Sequence, residues 1–479
     1  MKRIVNELSK LNWGRRVYAV FALCATTAIA LPAQTFTTLF SFDGTDGAYP
    51  QDSVGVGGLV QGTSGDLYGT TAGGGAYGYG TVFEISTGGK LTTLYSFCSS
   101  PQTSCPDGSA PYGTLVQATN GDFYGTTAEG GVAGGPDGTG GTVFRITADG
   151  KLTTLYDFCS QANCTDGSYP NGLVQATNGD LYGTTNQSGA YGAGTVFKIT
   201  PAGALTTLYT FCSQTNCTDG ATPFGNLVQA ANGDFYGTTF GGGVDDGGTI
   251  FKITPAGTLT TLVTAVGGYP SGTLLQATNG DLYGTTSRGT IFKMTPGGTL
   301  TTLGTVCCYS YAGLVQATNV NFYGTTYAGG AYGGGSIFEI TPAGTLATLY
   351  NFCFQTNCTD GDWPLAGLMQ DTNGSLYGTT FEGGAYGLGT VFSLSVGLGP
   401  FVETQTTSGK VGRVVEILGT DLTGTTSVTF NGTPVTSFTV NSSASAISTT
   451  VPVGATTGLV MVTTPTGMLK SNVPFRVLP

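Results

Sequence analysis

The side chains in this 479-residue chain that could do chemistry are carboxylates, aromatic residues and one arginine, Arg288. The chain has no histidine, so the commonest general base is missing and serine–histidine or cysteine–histidine nucleophiles are excluded. Glycoside cleavage needs two carboxylates and no histidine. Four acidic residues depart from the repeated pattern described below and are weak catalytic candidates, although ordinary drift between copies explains them too: Glu129, Glu382, Asp245 and Asp246.

Tyrosines at one repeated position are the main candidates for binding. A tyrosine with an exposed ring offers a flat apolar face and a polar tip, which suits a sugar ring or a protein partner. The alternative is that these rings pack neighbouring loops together. Trp363 and Arg288 also depart from the repeat and join the candidate binding set. The four tyrosines are Tyr77, Tyr191, Tyr332 and Tyr386.

Five aspartates precede glycine in loops between repeats. A ring of carboxylates could bind calcium or a basic ligand. Alternatively, each aspartate hydrogen-bonds the backbone of its own turn. Occurrence in so many copies favours the second interpretation, so we expect no cofactor, with calcium kept as the open alternative. The residues are Asp46, Asp107, Asp166, Asp219 and Asp360.

Cysteines occur in close pairs, which indicates disulfides in an exported protein. Zinc is the alternative, but the four-residue gaps and the lack of histidine argue against it. The adjacent Cys307 and Cys308 would form a strained ring if bonded, or remain two thiols. The other predicted pairs are Cys98–Cys105, Cys159–Cys164, Cys212–Cys217 and Cys353–Cys358.

Residues 1–33 read as a signal peptide. A basic lead precedes the uncharged apolar run from Val17 to Leu31, and small residues follow it. The alternative is a retained N-terminal anchor, although the run is short for a membrane span of about 20 residues. We therefore expect a secreted, extracellular or cell-surface protein with no membrane span after cleavage.

Charge restricts the partners. Removing five basic residues and one acidic residue with the leader leaves 11 Lys and Arg against 26 Asp and Glu, a net charge of −15. Such a chain is repelled by nucleic acid and by anionic lipid surfaces. We expect no nucleic-acid partner.

The tetrapeptide YGTT organises the chain. It occurs seven times, and the first and last copies lie 309 residues apart over six steps, a mean period of about 51. A period of this size indicates one stacked supersecondary unit per copy. The copies are Tyr68–Thr71, Tyr124–Thr127, Tyr182–Thr185, Tyr236–Thr239, Tyr283–Thr286, Tyr323–Thr326 and Tyr377–Thr380.

Each repeat predicts four antiparallel strands. In the third copy the runs GLVQAT, DLYGTT, GTVFKIT and LTTLYTF are bounded by turn signals such as Asn178-Gly179. Seven such units suggest a seven-bladed β-propeller over residues 34–398, with an open solenoid as the alternative. The seventh copy lacks its last run, and a matching run, Phe36–Phe42, stands before the first copy. This offset predicts that the N-terminal strand closes the ring and hides both sheet edges.

The repeat resembles the GloVer tandem-repeat proteins, which are exported bacterial proteins of mostly unknown activity. The resemblance rests on YGTT, a glycine-rich loop and GTVFKIT, and it covers residues 36–396. From residue 399 the repeat stops and short alternating strands predict an immunoglobulin-like β-sandwich over 399–479. The five predicted strands are Val414–Leu418, Ser427–Phe430, Ala446–Val451, Leu459–Thr463 and Val473–Leu478. The segments ILGTDLTGTTSVTFNGTPV and VPVGATTGLVMVTTPTG resemble an IPT/TIG domain, which implies support or interaction and not catalysis.

These observations predict an all-β, surface-associated protein that acts by binding. Tight turns occupy one end of each blade, so the longer loops share the other end, where binding sites usually lie. We expect an extracellular glycan or a surface protein as the partner. The alternatives are a polysaccharide hydrolase or lyase that uses Asp or Glu on this face, and a structural surface component.

Overall fold

A computed structural model of the chain describes residues 34–50, 57–99, 105–111, 113–132, 140–264, 267–307 and 309–479. The predicted leader and Cys308 lie outside these residues, so the signal peptide and the adjacent-cysteine disulfide stay predictions. The fold is all-β. Within the described residues helix is limited to four single-turn 3-10 segments: Ala162–Cys164, Thr215–Cys217, Val244–Asp246 and Thr356–Cys358.

Seven antiparallel sheets are formed by the described residues of the repeat region, and sheet n is named here after its copy of YGTT. Each YGTT segment is the second strand of its sheet. These strands are Leu67–Thr71, Phe123–Thr127, Leu181–Gln187, Phe235–Gly241, Leu282–Thr285, Phe322–Thr326 and Leu376–Thr380. The third strands are Thr81–Ile85, Thr142–Ile146, Thr195–Ile199, Thr249–Ile253, Thr290–Met294, Ser336–Ile340 and Thr390–Ser395. The fourth strands of sheets 1–6 are Leu91–Ser96, Leu152–Asp157, Leu205–Thr210, Leu259–Val263, Leu300–Thr305 and Leu346–Asn351.

First strands are shorter than the sequence predicts. Six of the seven first strands contain two residues, where the sequence predicts six. Each first strand lies at the edge of its sheet and therefore pairs with one neighbour only. Sheet 4 has one extra short strand, Ala221–Pro223. The first strands are Val60–Gln61, Val116–Gln117, Ser168–Gln175, Val228–Gln229, Leu275–Gln276, Val315–Gln316 and Met369–Gln370.

The N-terminal strand, Thr35–Ser41, is the fourth strand of sheet 7, as the displaced run predicts. It pairs antiparallel with the third strand of that sheet, with Phe36 opposite Leu394 and Thr38 opposite Phe392. The Phe36 ring also stacks on Tyr350 of sheet 6 at 3.8 Å between centroids. The first and last parts of the repeat region are thereby joined in one sheet, and the array is a β-propeller.

At the tight-turn end, a circle of hydrogen bonds to glutamine side chains also joins each sheet to the next. The side-chain oxygen of each first-strand glutamine accepts a hydrogen bond from a backbone N–H in the turn of the preceding sheet. The last of these bonds runs from the Thr372 N–H to Gln61 at 3.2 Å, across 311 residues of sequence. The circle therefore has no free end.

The YGTT motif is explained by packing. In the seventh copy Tyr377 is buried in the core between sheets. A Cβ on Gly378 would lie 2.6 Å from the Phe392 ring, so only glycine lets that ring lie across the strand. The Thr379 hydroxyl donates to the Pro50 carbonyl in the neighbouring unit at 3.2 Å. The motif thus maintains the scaffold.

The C-terminal region, residues 399–479, forms two antiparallel four-stranded sheets and a parallel pair that enclose one hydrophobic cluster. Four of the five predicted strands agree with the structure to within one residue, and the last is shorter. The first sheet contains Glu403–Thr404, Val414–Leu418, Ala446–Thr450 and Phe438–Val440. The second contains Thr433–Pro434, Ser427–Phe430, Val460–Thr464 and Gly467–Lys470, and the pair is Ser408–Lys410 with Arg476–Leu478.

This region covers the tight-turn end of the propeller. The Asn441 amide and the Ser445 hydroxyl both donate to the Thr63 carbonyl at 2.7 Å. The Arg413 guanidinium donates to the Thr177 carbonyl at 2.9 Å. Further bonds join Gln405 to Gln117, Thr420 to Thr372, and the Phe401 N–H to the Thr372 carbonyl.

Candidate functional site

The loop-rich end is built from two kinds of segment. Segments that lead from one sheet to the next pair with segments that follow YGTT, through antiparallel bridges such as Ala48–Gly73 and Asp362–Glu382. In sheet 3 the same pairing extends the ladder, with Ser168 opposite Gln187. The residues just after each YGTT are therefore held beside the inter-sheet segments.

Disulfides cross-link residues within these loops. Four predicted bonds are present, between Cys98 and Cys105, Cys159 and Cys164, Cys212 and Cys217, and Cys353 and Cys358. Among the described residues one group, Cys353, Cys358 and Asp362, brings three potential ligand atoms within 4.8 Å of one another. Both sulfurs are committed to a disulfide and offer no thiolate, so the group is a poor metal site.

The repeated loop aspartates stabilise their own loops. Asp219 is fully buried and accepts hydrogen bonds from the Tyr209 hydroxyl at 2.7 Å and from the Ser213 N–H at 2.9 Å. Asp107, Asp166 and Asp360 accept the matching tyrosine hydroxyl in their own repeats. Desolvation raises the pKa of Tyr209 to about 12. The hydrogen bond with Ser213 opposes this rise and the hydrogen bond to Asp219 adds to it, so this tyrosine stays a donor. The arrangement supports the local interpretation of these carboxylates and not a shared cation site.

One backbone position at the loop-rich end is left-handed in six repeats. Left-handed backbone at a bulky residue is strained, and such strain tends to collect at functional sites. At Tyr49 the backbone is fixed by two bonds, from its own N–H to the Leu388 carbonyl and from the Ala72 N–H to its carbonyl, both 2.9 Å. The position is occupied by Tyr49, Ala110, Tyr169, Thr222, Tyr269 and Trp363, with φ between 48° and 55°.

Two residues of this position, Tyr49 and Trp363, belong to a continuous row of aromatic rings. The row, termed here the aromatic arc, is Tyr49, Phe381, Trp363, Tyr327 and Tyr311. Successive centroids are 5.0, 6.4, 5.4 and 5.9 Å apart. All five side chains are partly exposed. The arc runs from sheet 6 through sheet 7 to the start of the repeat region, so it exists only because the ring is closed.

A second aromatic group lies in the neighbouring sheets. Phe240 stacks on Tyr269 with centroids 4.9 Å apart, and Phe224 lies 5.5 Å from Phe240. The exposed Arg288 lies over the Tyr269 ring at 5.3 Å, within the range of a cation–π contact. Arg288 therefore offers a charged group beside an aromatic surface.

The four predicted tyrosines lie elsewhere on the same end. Tyr77, Tyr191, Tyr332 and Tyr386 are 46–64% exposed. The loops of Tyr77 and Tyr332 are bonded to the ends of fourth strands, from the Ala76 N–H to Ser96 and from the Ala331 N–H to Asn351, which places them at the outer rim. Tyr332 contacts Phe354 in a disulfide loop at 5.6 Å. The structure does not bring these tyrosines into the arc.

The predicted acids are not gathered into one site. Glu129 and Glu382 take matching places in sheets 2 and 7, bonded through their backbones to Ser109 and Asp362. Asp245 and Asp246 belong to a 3-10 turn in sheet 4, where Asp246 accepts the Gly242 N–H. Asp362, which adjoins Trp363, was not predicted. Burial raises its pKa, the charges of Glu382 and Asp360 add to the effect, and its Oδ1 has no hydrogen-bond partner.

Comparison with known families accounts for the scaffold. The Gloeobacter/Verrucomicrobia repeat matches residues 25–164, 139–307 and 287–458. The chain belongs to this repeat family. No curated protein sequence matches it.

Solved structures similar to this Gloeobacter/Verrucomicrobia repeat protein support the propeller fold. An inactive variant of virginiamycin B lyase from Staphylococcus aureus with quinupristin has 15% identity and a TM-score of 0.53, covering 76% of this chain and 99% of the lyase. A streptogramin B lyase has 15% identity and a TM-score of 0.52, covering 77% and 99%. A fungal AA5-family alcohol oxidase in complex with copper has 11% identity and a TM-score of 0.51, covering 94% and 100%. At these identities the likeness shows the fold alone.

Within this repeat protein, the arc falls where the seven copies differ. The residue after YGTT is Phe or Tyr in copies four, six and seven, and Ala, Asn or Ser in the others. Of the five arc residues the sequence analysis selected Trp363 and missed Tyr49, Phe381, Tyr327 and Tyr311. A comparison of this one position across the copies would have found two of these four, Phe381 and Tyr327.

Proposed function

We propose that this protein is an exported seven-bladed β-propeller, residues 34–398, with an immunoglobulin-like IPT/TIG domain, residues 399–479, which binds an extracellular glycan at the aromatic arc. The leader, residues 1–33, directs export. The four disulfides support an oxidising location outside the cytoplasm.

The observation that carries this proposal is the arc itself. Five partly exposed rings follow one another at 5.0–6.4 Å across three structural units. Rings presented in series by a rigid scaffold suit an extended chain of sugar rings, because each ring offers an apolar face and the tyrosines add a polar tip. Burying such anchors gives most of the binding energy at an interface.

Tryptophan fluorescence tests the site directly. The chain has two tryptophans, Trp13 and Trp363, and the leader contains the first. In the leader-free protein the emission therefore reports on the arc alone. We expect one class in a panel of neutral and acidic polysaccharides to shift or quench this emission saturably.

Matched variants locate the binding. Phe381→Ala removes a central ring of the arc and is expected to weaken glycan binding about ten-fold or more. Tyr386→Ala removes a more exposed tyrosine at the rim and is expected to have little effect. Equal losses would move the site to the rim tyrosines. Binding of a surface protein and of no glycan would refute the glycan assignment, and binding of neither would leave a structural surface component.

Glycan cleavage is a second candidate function. Asp362 adjoins Trp363, carries a raised pKa and has one buried oxygen without a partner, while Glu382 lies beside it in the same backbone pairing. One carboxyl group protonated and another ionised is the arrangement that glycosidases use. Release of reducing ends or unsaturated products, abolished by Asp362→Asn but not by Glu129→Gln, would support a hydrolase or lyase. Retention of the polysaccharide without product would support binding alone.

A further inference from the structure

The propeller axis contains two adjoining cavities. The upper cavity, of about 300 Å³, is lined by residues of all seven repeats that lie in or just before the first strands. The lower cavity, of about 340 Å³, lies between the tight-turn end and the C-terminal region. They share five lining residues, among them Leu59, Leu314 and Leu368, and so form one channel. A dry apolar cavity of about 150 Å³ is enough to bind benzene, so the lower cavity has room for a small organic molecule.

The lower cavity has an apolar wall that is interrupted by amide side chains and by one carboxylate. Valine, leucine and methionine side chains form much of the wall, and its glutamines Gln61, Gln117 and Gln370 are engaged in the hydrogen-bond circle. Glu403, from the C-terminal region, is the one ionisable residue among those lining either cavity. Its carboxylate has no hydrogen-bond or ion-pair partner among the described residues.

A second carboxylate stands close to Glu403. Asp371 is 1% exposed, and its Oδ1 accepts the Asn373 N–H at 2.8 Å, while its Oδ2 has no partner. Five other repeats have alanine at this position, at Ala118, Ala176, Ala230, Ala277 and Ala317. Burial raises the pKa of Glu403 to about 7 and that of Asp371 to about 6, and the charge of Asp371 adds to the effect at Glu403.

Two neighbouring carboxylates, one buried and one partly buried, are costly without a counter-charge, and a bound cation relieves that cost. We propose that the lower cavity is a binding site for a small amphipathic cation, an alkylammonium, with its charged head at Glu403 and its apolar body among the valines and leucines. A purely polar cation would leave the apolar wall hydrated, and a neutral apolar molecule would leave both carboxylates without a partner. The site is independent of the aromatic arc, which lies at the opposite end of the propeller.

Calorimetric titration at pH 8 with alkylammonium ions and the matching alcohols tests the proposal. Hexylammonium is expected to bind the leader-free protein at least about ten-fold more tightly than hexanol, because only the ammonium pairs with the carboxylate. Glu403→Gln is expected to bring the two ligands to equal affinity. Glu416→Gln, a change on the same region but outside the cavity lining, is expected to preserve the difference.

A second variant keeps the test decisive if Glu403→Gln does not fold. Leu275→Phe fills part of the cavity and leaves both carboxylates in place, so it is expected to weaken hexylammonium more than the shorter ethylammonium. Equal binding of ammonium and alcohol by the wild type would overturn the proposal. So would hexylammonium binding that survives both substitutions unchanged. Neither result would bear on glycan binding, which is measured separately through Trp363.

Discussion

The two ends of the propeller use the same scaffold in opposite ways. At the tight-turn end nearly identical turns and a circle of glutamines repeat seven times, and the C-terminal region covers them. At the loop-rich end the loops differ in length and residue type, and partly exposed aromatic rings accumulate. Repeated residues therefore maintain the ring, and departures from the repeat carry whatever the protein recognises.

Ring closure supports both ends, so breaking it is expected to have the largest effect. Phe42 is fully buried and lies 5.4 Å from the Phe83 ring in sheet 1. Phe42→Ala is expected to lower the free energy of unfolding by about 3–5 kcal/mol. Thr37→Ala, at an exposed position in the strand that ends just before Phe42, should change it by less than about 0.5 kcal/mol. Urea unfolding measures both, and a small loss for Phe42→Ala would mean that the two ends do not depend on closure.

The pH dependence of stability distinguishes the covered end from the open one. Asp371 and Glu403 have raised pKa values, about 6 and about 7, so the folded protein holds their protons more tightly than the unfolded chain does. The unfolding free energy should therefore fall as pH rises from about 4 to about 7, and level off above. We expect these two groups to account for about 1–3 kcal/mol of that fall, since Glu403 is only partly buried and lines a cavity, which lowers its share.

The double variant Asp371→Asn/Glu403→Gln isolates this contribution. Urea unfolding at pH 5 and pH 8 should show a smaller difference for the variant than for the wild type. Other acids with raised pKa values, such as Asp362 and Asp157, remain in both proteins and cancel in the comparison. An identical pH dependence in the two proteins would show that the pKa values of Asp371 and Glu403 are not raised in the folded protein.

A smaller effect on stability is expected from an aspartate at the loop-rich end. Asp219, buried in a disulfide loop, accepts bonds from Tyr209 and Ser213. Asp219→Asn is expected to cost about 1–3 kcal/mol locally, because one or more buried donors lose a charged acceptor. Hydrogen exchange should rise in Cys212–Cys217 and stay unchanged in the turns. Unchanged exchange in that loop would show that the carboxylate does not stabilise it.

The smallest effect is expected at the surface ion pairs of the tight turns. Lys252 and Asp234 lie 3.7 Å apart and are both partly exposed. Lys252→Met should change the unfolding free energy by less than about 1 kcal/mol, and the change should vanish in high salt. Thermal unfolding at low and high ionic strength checks this. A larger, salt-independent loss would show that Lys252 stabilises the turn by more than an exposed ion pair.

Local features were predictable to nearly single-residue accuracy. The strands Val414–Leu418 and Ser427–Phe430 are predicted without error, and the four loop disulfides pair as their spacing suggests. The first strands were predicted too long, because propensity registers apolar residues and not the number of neighbours available near the axis. Asp371 carried a signal, aspartate in place of alanine, that was overlooked.

Sequence periodicity alone determined the repeat, the order of strands and the need for closure. Strands of sheets 1–6 lie within about 50 residues of each other, so their patterns encode pairing directly, and the run that the seventh copy lacks stands before the first copy. The tertiary structure alone decided which side chains meet. Tyr49 and Phe381 come from opposite ends of the repeat region, and Glu403 and Asp371 from different regions of the chain. Their approach depends on ring closure and on docking of the C-terminal region, which sum many weak contacts that no local pattern records.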